Sequence, residues 1–195
     1  APQTAQDDTI FRQIEAALNG VTFGEISKNA KGQSTTQAVA VAPRRLAAGY
    51  EQLRLQLLEL NKRRSVPCSV LLLRLGSIAE TRARADFSRG FFNPVGFEIT
   101  ESPLCHTVQD ARLAARTSAA DVIVICSTDD RYGEMAAEVA AGIRADVKSL
   151  LVLAGRPFDR EAEYRGGGVD EFIYLGANHF ELLHAIVEKI GGRHD

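Results

Sequence analysis

The sequence predicts an α/β domain built on a doubly wound, five-stranded parallel sheet. From residue 69 onward, five short apolar runs alternate with segments of helical periodicity, at the spacing typical of strand–helix units. The runs at 70–75, 122–126 and 150–153 are apolar at nearly every position, which is typical of strands buried on both faces of a parallel sheet. We therefore expect the flavodoxin-like strand order 2-1-3-4-5, with the order of a plain Rossmann half as the alternative.

The strands and the helices between them have separate signals. The runs that predict strands are, in chain order, SVLLLRL, GFEIT, DVIVICS, SLLVLAG and EFIYLG. Thr107 with Asp110, and Asn178 with Glu181, have the spacing of a capping box, which marks the start of a helix. Gly191 ends the last helix. The apolar face of that helix consists of Leu183, Ile186, Val187 and Ile190.

Ahead of the sheet, a first helix is predicted at residues 8–19 and ended by Gly20. Residues 24–43 follow without a strong period, which predicts a linker with one short extended piece. The residues that recur on one face of the first helix are Ile10, Phe11, Ile14 and Leu18.

A second helix is predicted from Pro43 to about residue 62, where the basic run NKRRSVP ends it. Its apolar stripe consists of Leu46, Tyr50, Leu53, Leu57 and Leu60. We therefore divide the chain into a helical lead-in at residues 1–67 and an α/β domain at residues 68–195.

Composition and charge argue against several classes of partner. The net charge of −2 gives no basis for nucleic acid or an anionic membrane as the main partner. No apolar stretch is long enough to span a bilayer, and the first residues lack the pattern of a secretory signal. The three cysteines, Cys68, Cys105 and Cys126, lack metal-type spacing and fit reduced thiols. We expect a cytoplasmic protein.

Ligands of doubly wound sheets bind beyond the carboxyl ends of the strands, at the switch point between strands one and three. In this chain that region, the switch-point cleft, is formed by the loops at 76–80, 127–131 and 154–158. A dinucleotide fingerprint needs closely spaced glycines in the first loop, and only Gly76 is present. The glycines at 166–168 precede the fifth strand, where a helix C-cap and turn is the favoured interpretation.

Candidate chemical groups in these loops are few. Asp129 and Asp130 follow the third strand and could hold a magnesium ion, although a cap from Thr128 or Asp129 is the favoured interpretation. Cys126 at the strand end is interpreted as a core residue, and His106 as a loop or helix-entry residue.

Two further patterns in the sequence predict neither a catalytic set nor a metal site. His179 and His184 are five residues apart on the last helix, so they point to different faces. The helix after the first strand carries Glu80, Asp86 and several arginines, which indicates either a solvated face or a face that docks another polypeptide. Both interpretations stay open. The arginines are Arg82, Arg84 and Arg89.

The order and spacing of five segments resemble the cobalamin-binding domain of methylmalonyl-CoA mutases, over roughly residues 68–191. The segments are VLLLRLGSIAETRARADFSRGFF, GFEIT, DVIVICSTDDRYGEMAAEV, LVLAGRP and GVDEFIYLG. Residues 8–62 resemble the segment that joins the family's TIM barrel to that domain. The stretch PRRLAAGYEQLR is similar to the lead-in helix of the family's small subunits.

The resemblance also implies where a cofactor site has been lost. In cobalamin-binding members the first loop carries Asp-x-His-x-x-Gly, whose His ligates cobalt and whose Asp orients that His. Ile78, Glu80 and Ala83 stand at these three positions. A Ser-x-Leu element after the third strand is replaced by Thr128 and Asp130. The Gly-Gly pair after the fourth strand is replaced by Ala154-Gly155, followed by Arg156.

These departures fit the non-catalytic small subunit of a heterodimeric mutase. The resemblance then implies that a large catalytic subunit is the partner, carries cobalamin, and interconverts methylmalonyl-CoA and succinyl-CoA as an isomerase. In this chain we expect no catalytic residue, no metal ligand and no bound cofactor, only a structural role. The residues of the vestigial cleft are Gly76, Ile78, Glu80, Thr128, Asp130, Ala154 and Gly155.

Two other functions stay open. A binding module that still holds cobalamin, or another small molecule, without a protein cobalt ligand would explain Gly76 and Gly155. An independent enzyme would have only Ser127, Asp129 and His106 as its parts, and these form no known motif.

Overall fold

A computed structural model describes residues 4–29 and 45–192 of the chain. Contacts divide the chain into two compact units, residues 1–43 and residues 44–195. In the described residues, no helix is long and apolar enough to cross a membrane.

The first unit contains two helices, α1 at Thr4–Leu18 and α2 at Phe23–Asn29. Helix α1 confirms the helix predicted at residues 8–19, and its apolar face from Ile10 to Leu18 is exposed in the structure. Helix α2 occupies the beginning of the predicted linker, so the linker prediction was wrong there. The helix has only seven residues, too few for periodicity to be recognised. The rest of the predicted linker, residues 30–43, and the predicted start of the next helix at Pro43 lie outside the described residues.

The second unit contains a parallel sheet of five strands in the order β2-β1-β3-β4-β5. This confirms the flavodoxin-like order and excludes the order of a Rossmann half. The strands are β1 at Ser69–Leu75, β2 at Glu98–Cys105, β3 at Val122–Cys126, β4 at Leu150–Ala154 and β5 at Glu171–Ile173.

Strand β2 extends beyond the predicted segment GFEIT and continues through Pro103 to Cys105. A proline lacks the N–H that a central strand needs, but β2 lies at the edge of the sheet, where proline is tolerated. The register against β1 shifts between Leu72 and Arg74.

Helices cover both faces of the sheet, as the doubly wound fold requires. These helices are α3 at Ala48–Arg64, α4 at Ile78–Phe92, α5 at Val108–Ser118, α6 at Asp129–Asp146, α7 at Glu161–Gly166 and α8 at His179–Gly191. One core contains alternate strand residues such as Val70 and Leu72 with α3, α4 and α8, and the other contains Leu71 and Leu73 with α5, α6 and α7.

Helix α3 packs on the sheet unit, although the sequence assigns it to the lead-in at residues 1–67. Leu53 and Leu57 are buried with the α4 and α8 side chains, and the Tyr50 ring meets Phe180 edge-on at 5.6 Å. The contacts therefore group α3 with the α/β fold. Burial of two leucines and the aromatic pair stabilises this docking.

The helix starts agree with the predicted caps, with one difference. Thr107 and Asp110 form a complete capping box at α5. Asn178 accepts the Glu181 N–H at α8, which is only the first of the two bonds of such a box. Gly167 and Gly168 follow α7 and turn the chain into β5, as predicted.

Candidate functional site

The switch-point cleft lies where β1, β3 and β4 end. Gly76 opens the first loop with φ +112°, a conformation that favours glycine, and its N–H bonds to the Cys105 carbonyl at 2.8 Å. A Cβ atom at Gly76 would lie 2.8 Å from the Glu80 carboxylate, so this side chain lies against the loop.

Ser77 and Glu80 form a capping box at the start of α4. The Ser77 backbone N–H donates to Glu80 Oε2 at 2.7 Å, and Ser77 Oγ accepts the Glu80 N–H. Glu80 Oε1 also accepts a bond from Arg131 Nη2 at 3.0 Å. Hydrogen bonds from Ser77, assisted by Arg131, lower the pKa of Glu80 to about 2. Sequence reasoning missed this box although the Ser-x-x-Glu signal is present.

The other residues of the first loop offer no second polar group. Ile78 is the first residue of α4, and 62% of its surface is exposed. Ala83 is an exposed residue on the same helix.

The loop after β3 serves as a helix cap. Thr128 Oγ1 accepts the Arg131 N–H, which confirms that Thr128 caps α6. Asp129 pairs with Arg84 at 2.8 Å, and Asp130 is exposed in the first turn of α6. In the described part of the chain, His, Cys, Asp and Glu form no group of three that would hold a metal ion.

Beneath these loops lies a buried hydrogen-bonded layer centred on Tyr132. Its hydroxyl accepts the Ser127 N–H at 2.8 Å and lies 2.9 Å from the Ile125 carbonyl and 3.0 Å from the Ala154 carbonyl. Ser127 Oγ donates to the carbonyl of Leu75. Burial raises the pKa of Tyr132 above its ordinary value, so the phenol stays protonated. The layer ties the ends of β1, β3 and β4 together.

Arg84 projects from α4 into the cleft. Its guanidinium donates to the Ala154 carbonyl and to Asp129, and it lies 5.9 Å from the centre of the Tyr132 ring. Sequence reasoning treats Arg84 as one member of a charged helix face. Arg82 on that face does make an i,i+4 pair with Asp86, at 3.7 Å, with both side chains well exposed.

The remaining candidate residues stay apart from this cleft or are committed elsewhere. Cys126 is fully buried, and burial raises its pKa to about 12, which agrees with a core role. The His106 backbone N–H donates to Asp110 at the start of α5. His179 Nε2 lies 3.2 Å from the Tyr174 carbonyl, and His184 Nδ1 lies 3.5 Å from Glu188. The structure does not assemble them into a catalytic set.

Arg156, after β4, lies over two aromatic rings, 5.4 Å from the centre of Phe158 and 5.9 Å from that of Tyr174. Phe158 has φ +50° and is exposed. The Arg156 side chain is thus engaged by one ring from the loop after β4 and by one ring that follows β5.

Comparisons with solved structures and with family models carry no functional argument. No protein-family model matches the sequence. The chain is similar to a CheY-like protein, TadZ, from Pseudomonas aeruginosa PAO1, with 16% identity, coverage of 64% of this chain and 94% of that chain, and a TM-score of 0.48. It is also similar to a two-component response regulator from Clostridium difficile, with 17% identity, coverage of 65% and 98%, and a TM-score of 0.45.

The fold and the cleft define a flavodoxin-like α/β domain whose switch point holds its own arginine side chain. The sequence is 32% identical over 124 residues to the methylmalonyl-CoA mutase small subunit of Porphyromonas gingivalis, and 30% identical over 149 residues to the probable small subunit of Mycobacterium bovis. The chain belongs to the methylmalonyl-CoA mutase small-subunit family, which confirms the resemblance.

The matches cover only part of each relative. They extend over 64% of this chain and 20% of the Porphyromonas protein, and over 76% of this chain and 24% of the Mycobacterium protein. A third relative, from Streptomyces virginiae, is 29% identical over 63% of this chain and 19% of its own length. The chain therefore spans about a fifth to a quarter of the curated relatives that it matches.

Proposed function

We propose that this chain is a non-catalytic structural domain of a methylmalonyl-CoA mutase small subunit. In this role it packs against the large catalytic subunit of a heterodimeric isomerase and stabilises it. The large subunit carries cobalamin and interconverts methylmalonyl-CoA and succinyl-CoA. The observation that carries the proposal is the bonding of Glu80, which stands at the position of the cobalt-ligating histidine.

Glu80 is a poor candidate for a cobalt ligand. Its pKa of about 2 keeps it a carboxylate, a harder donor than the neutral imidazole that it replaces. One oxygen accepts the Ser77 N–H and the other pairs with Arg131, so ligation would break the cap of α4. Ile78, at the position of the orienting Asp, has no polar side-chain atom that would accept a hydrogen bond.

The donor set therefore does not fit cobalamin, and the proposed function of this domain includes no chemical step. The alternative of a binding module rested on Gly76 and Gly155. Both glycines have another explanation, because a Cβ at Gly76 would meet Glu80 and a Cβ at Gly155 would meet Arg84. This alternative is therefore the weaker proposal.

A direct test mixes the purified chain with a purified large mutase subunit and follows association by sedimentation velocity. We expect a complex with one copy of each, and a higher melting temperature of the large subunit in the mixture. Matched mixtures with the large subunit and an unrelated flavodoxin-like domain control for non-specific stabilisation. Co-sedimentation without stabilisation would limit the role to docking, and failure to associate would overturn the proposal.

The absence of a cofactor is tested separately by titrating the chain with adenosylcobalamin, using absorbance and calorimetry. A mutase domain that has the ligating histidine is the positive control. We expect no spectral change and no heat of binding. Saturable binding would instead support the binding module and would require another atom beneath cobalt.

We also propose a cytoplasmic location. Its support is chemical, because Cys68, Cys105 and Cys126 are all free thiols in the structure.

A further inference from the structure

The guanidinium of Arg84 is surrounded by groups that match its chemistry. The Ala154 carbonyl and the Asp129 carboxylate accept its N–H groups, and the Tyr132 ring lies 5.9 Å away. A planar cation with several N–H donors fits such a set, because it pairs with oxygen atoms in its plane and stacks on aromatic faces. The side chain is 29% exposed, so solvent reaches one side of it.

Gly155 lies beside the Arg84 guanidinium, next to the Tyr132 ring. A Cβ atom there would lie 2.5 Å from Arg84 Nη1 and 3.0 Å from Tyr132 Cε2. The backbone of Gly155 does not adopt the left-handed conformation that favours glycine. A Cβ atom at this position would therefore displace the Arg84 guanidinium, so Gly155 and Arg84 share one space.

We propose that the switch-point cleft is a guanidinium-binding site that is occupied by the chain's own Arg84. When this side chain is truncated, the cleft binds a free alkylguanidinium cation. The inference goes beyond the proposed function, because it concerns the chain alone and is tested without a mutase partner or cobalamin.

The first experiment uses the Arg84→Ala variant of the full chain. Loss of two hydrogen bonds to a charged group lowers the melting temperature by about 4–8 °C. Millimolar ethylguanidinium restores part of this loss and gives a saturable calorimetric signal. Ethylammonium has the same charge but lacks the planar set of donors, so it restores little.

Arg82→Ala is the matched control, because Arg82 lies on the same helix and makes an exposed pair with Asp86. Its melting temperature stays close to that of the wild type and does not respond selectively to ethylguanidinium. If Arg84→Ala does not fold alone, the same comparison is made on the yield of refolded protein, which ethylguanidinium raises and ethylammonium does not. An equal response of the two variants, or no response of Arg84→Ala, overturns the proposal.

A double-mutant cycle with Gly155→Ala provides an independent readout. In the wild type the added methyl group collides with the guanidinium and lowers the melting temperature. In the Arg84→Ala background the same substitution costs less, because the guanidinium is gone. Additive losses would show that Gly155 and Arg84 do not share this space.

Discussion

Glu80 and Arg131 join helices α4 and α6 across the cleft, with Oε1 of Glu80 3.0 Å from Nη2 of Arg131. The second oxygen of Glu80 accepts the backbone N–H of Ser77. One carboxylate therefore caps α4 and links it to α6, at the position where cobalamin-binding relatives are expected to carry a ligand.

The low pKa of Glu80 predicts acid sensitivity. Its pKa is about 2 in the folded chain against 4.5 for an unperturbed glutamate carboxyl, so the unfolded state binds more protons between these values. This contribution to stability is complete above about pH 4.5 and is lost as the pH falls toward about 2. The Glu80→Gln variant has no such group, and its free energy of unfolding falls less steeply across that window.

Urea unfolding at several pH values measures this difference. Ser77→Ala removes the hydroxyl that contributes most to the low pKa, so its slope lies between those of the wild type and Glu80→Gln. Identical slopes for wild type and Glu80→Gln would mean that the capping box does not hold the carboxylate in solution.

The sequence predicts the strands and helix caps around the switch-point cleft better than it predicts which side chains lie in the cleft. The buried parallel strands follow from the apolar runs, which leave two strand orders open, and the caps at Thr107 and Thr128 follow from residue type and spacing. Periodicity does not fix how α4 is rotated over the sheet. Arg82 and Arg84 therefore look alike in sequence, although one is well exposed and the other binds Ala154.

The Ser77–Glu80 box has a sequence signal, Ser-x-x-Glu, whereas the family resemblance places Glu80 at the position of a lost histidine. The two interpretations are compatible, because a residue that no longer ligates is free to cap.

The Tyr132 hydroxyl is predicted to stabilise the layer beneath the cleft. In Tyr132→Phe the ring is retained, but the buried Ser127 N–H loses its acceptor at 2.8 Å. An unsatisfied buried donor costs about 1–3 kcal/mol, so the free energy of unfolding falls by that amount in urea titrations. Tyr50→Phe, which keeps the edge contact with Phe180, serves as a control. A loss no greater than in that control would contradict a role for the hydroxyl.

The three cysteines are predicted to be inert in the native state. Cys68, Cys105 and Cys126 are each at most 1% exposed, and burial raises the pKa of all three thiols. Because the thiolate is the nucleophile, reaction with Ellman's reagent is slow without denaturant. All three react once urea unfolds the chain. Rapid release of one equivalent from the native protein would show that a buried thiol opens locally.

Asp121 is predicted to fasten α3 to the sheet. Its carboxylate accepts bonds from Arg64 at 2.7 Å and from the Ser69 N–H at 2.9 Å. The Arg64 and Asp121 side chains are only 16% and 11% exposed, so Asp121→Asn weakens a part-buried pair and costs about 1–3 kcal/mol of unfolding free energy.

Lys62→Ala removes an exposed ion pair with Glu59 on the same helix and changes the free energy of unfolding little, because solvent screens the pair. Equal losses in the two variants would argue that α3 is held by its leucines rather than by this ion pair.

Restoring the lost ligand pattern is predicted to be insufficient for cobalamin binding. The triple variant Ile78→Asp, Glu80→His, Ala83→Gly recreates Asp-x-His-x-x-Gly in the first loop. The Arg84 guanidinium still lies against Gly155, where the family's Gly-Gly loop is expected to admit the cofactor tail. We expect no change in the absorbance spectrum of adenosylcobalamin with the triple variant, and a saturable change once Arg84→Ala is added.

The Arg84→Ala variant alone is the control for this prediction. It removes the guanidinium from the cleft without supplying a histidine, so it tests the effect of space without the effect of ligation. If the triple variant bound as tightly as the quadruple variant, Arg84 would not obstruct the cleft. If neither variant bound, obstacles other than the ligand pattern and Arg84 would have to account for the loss.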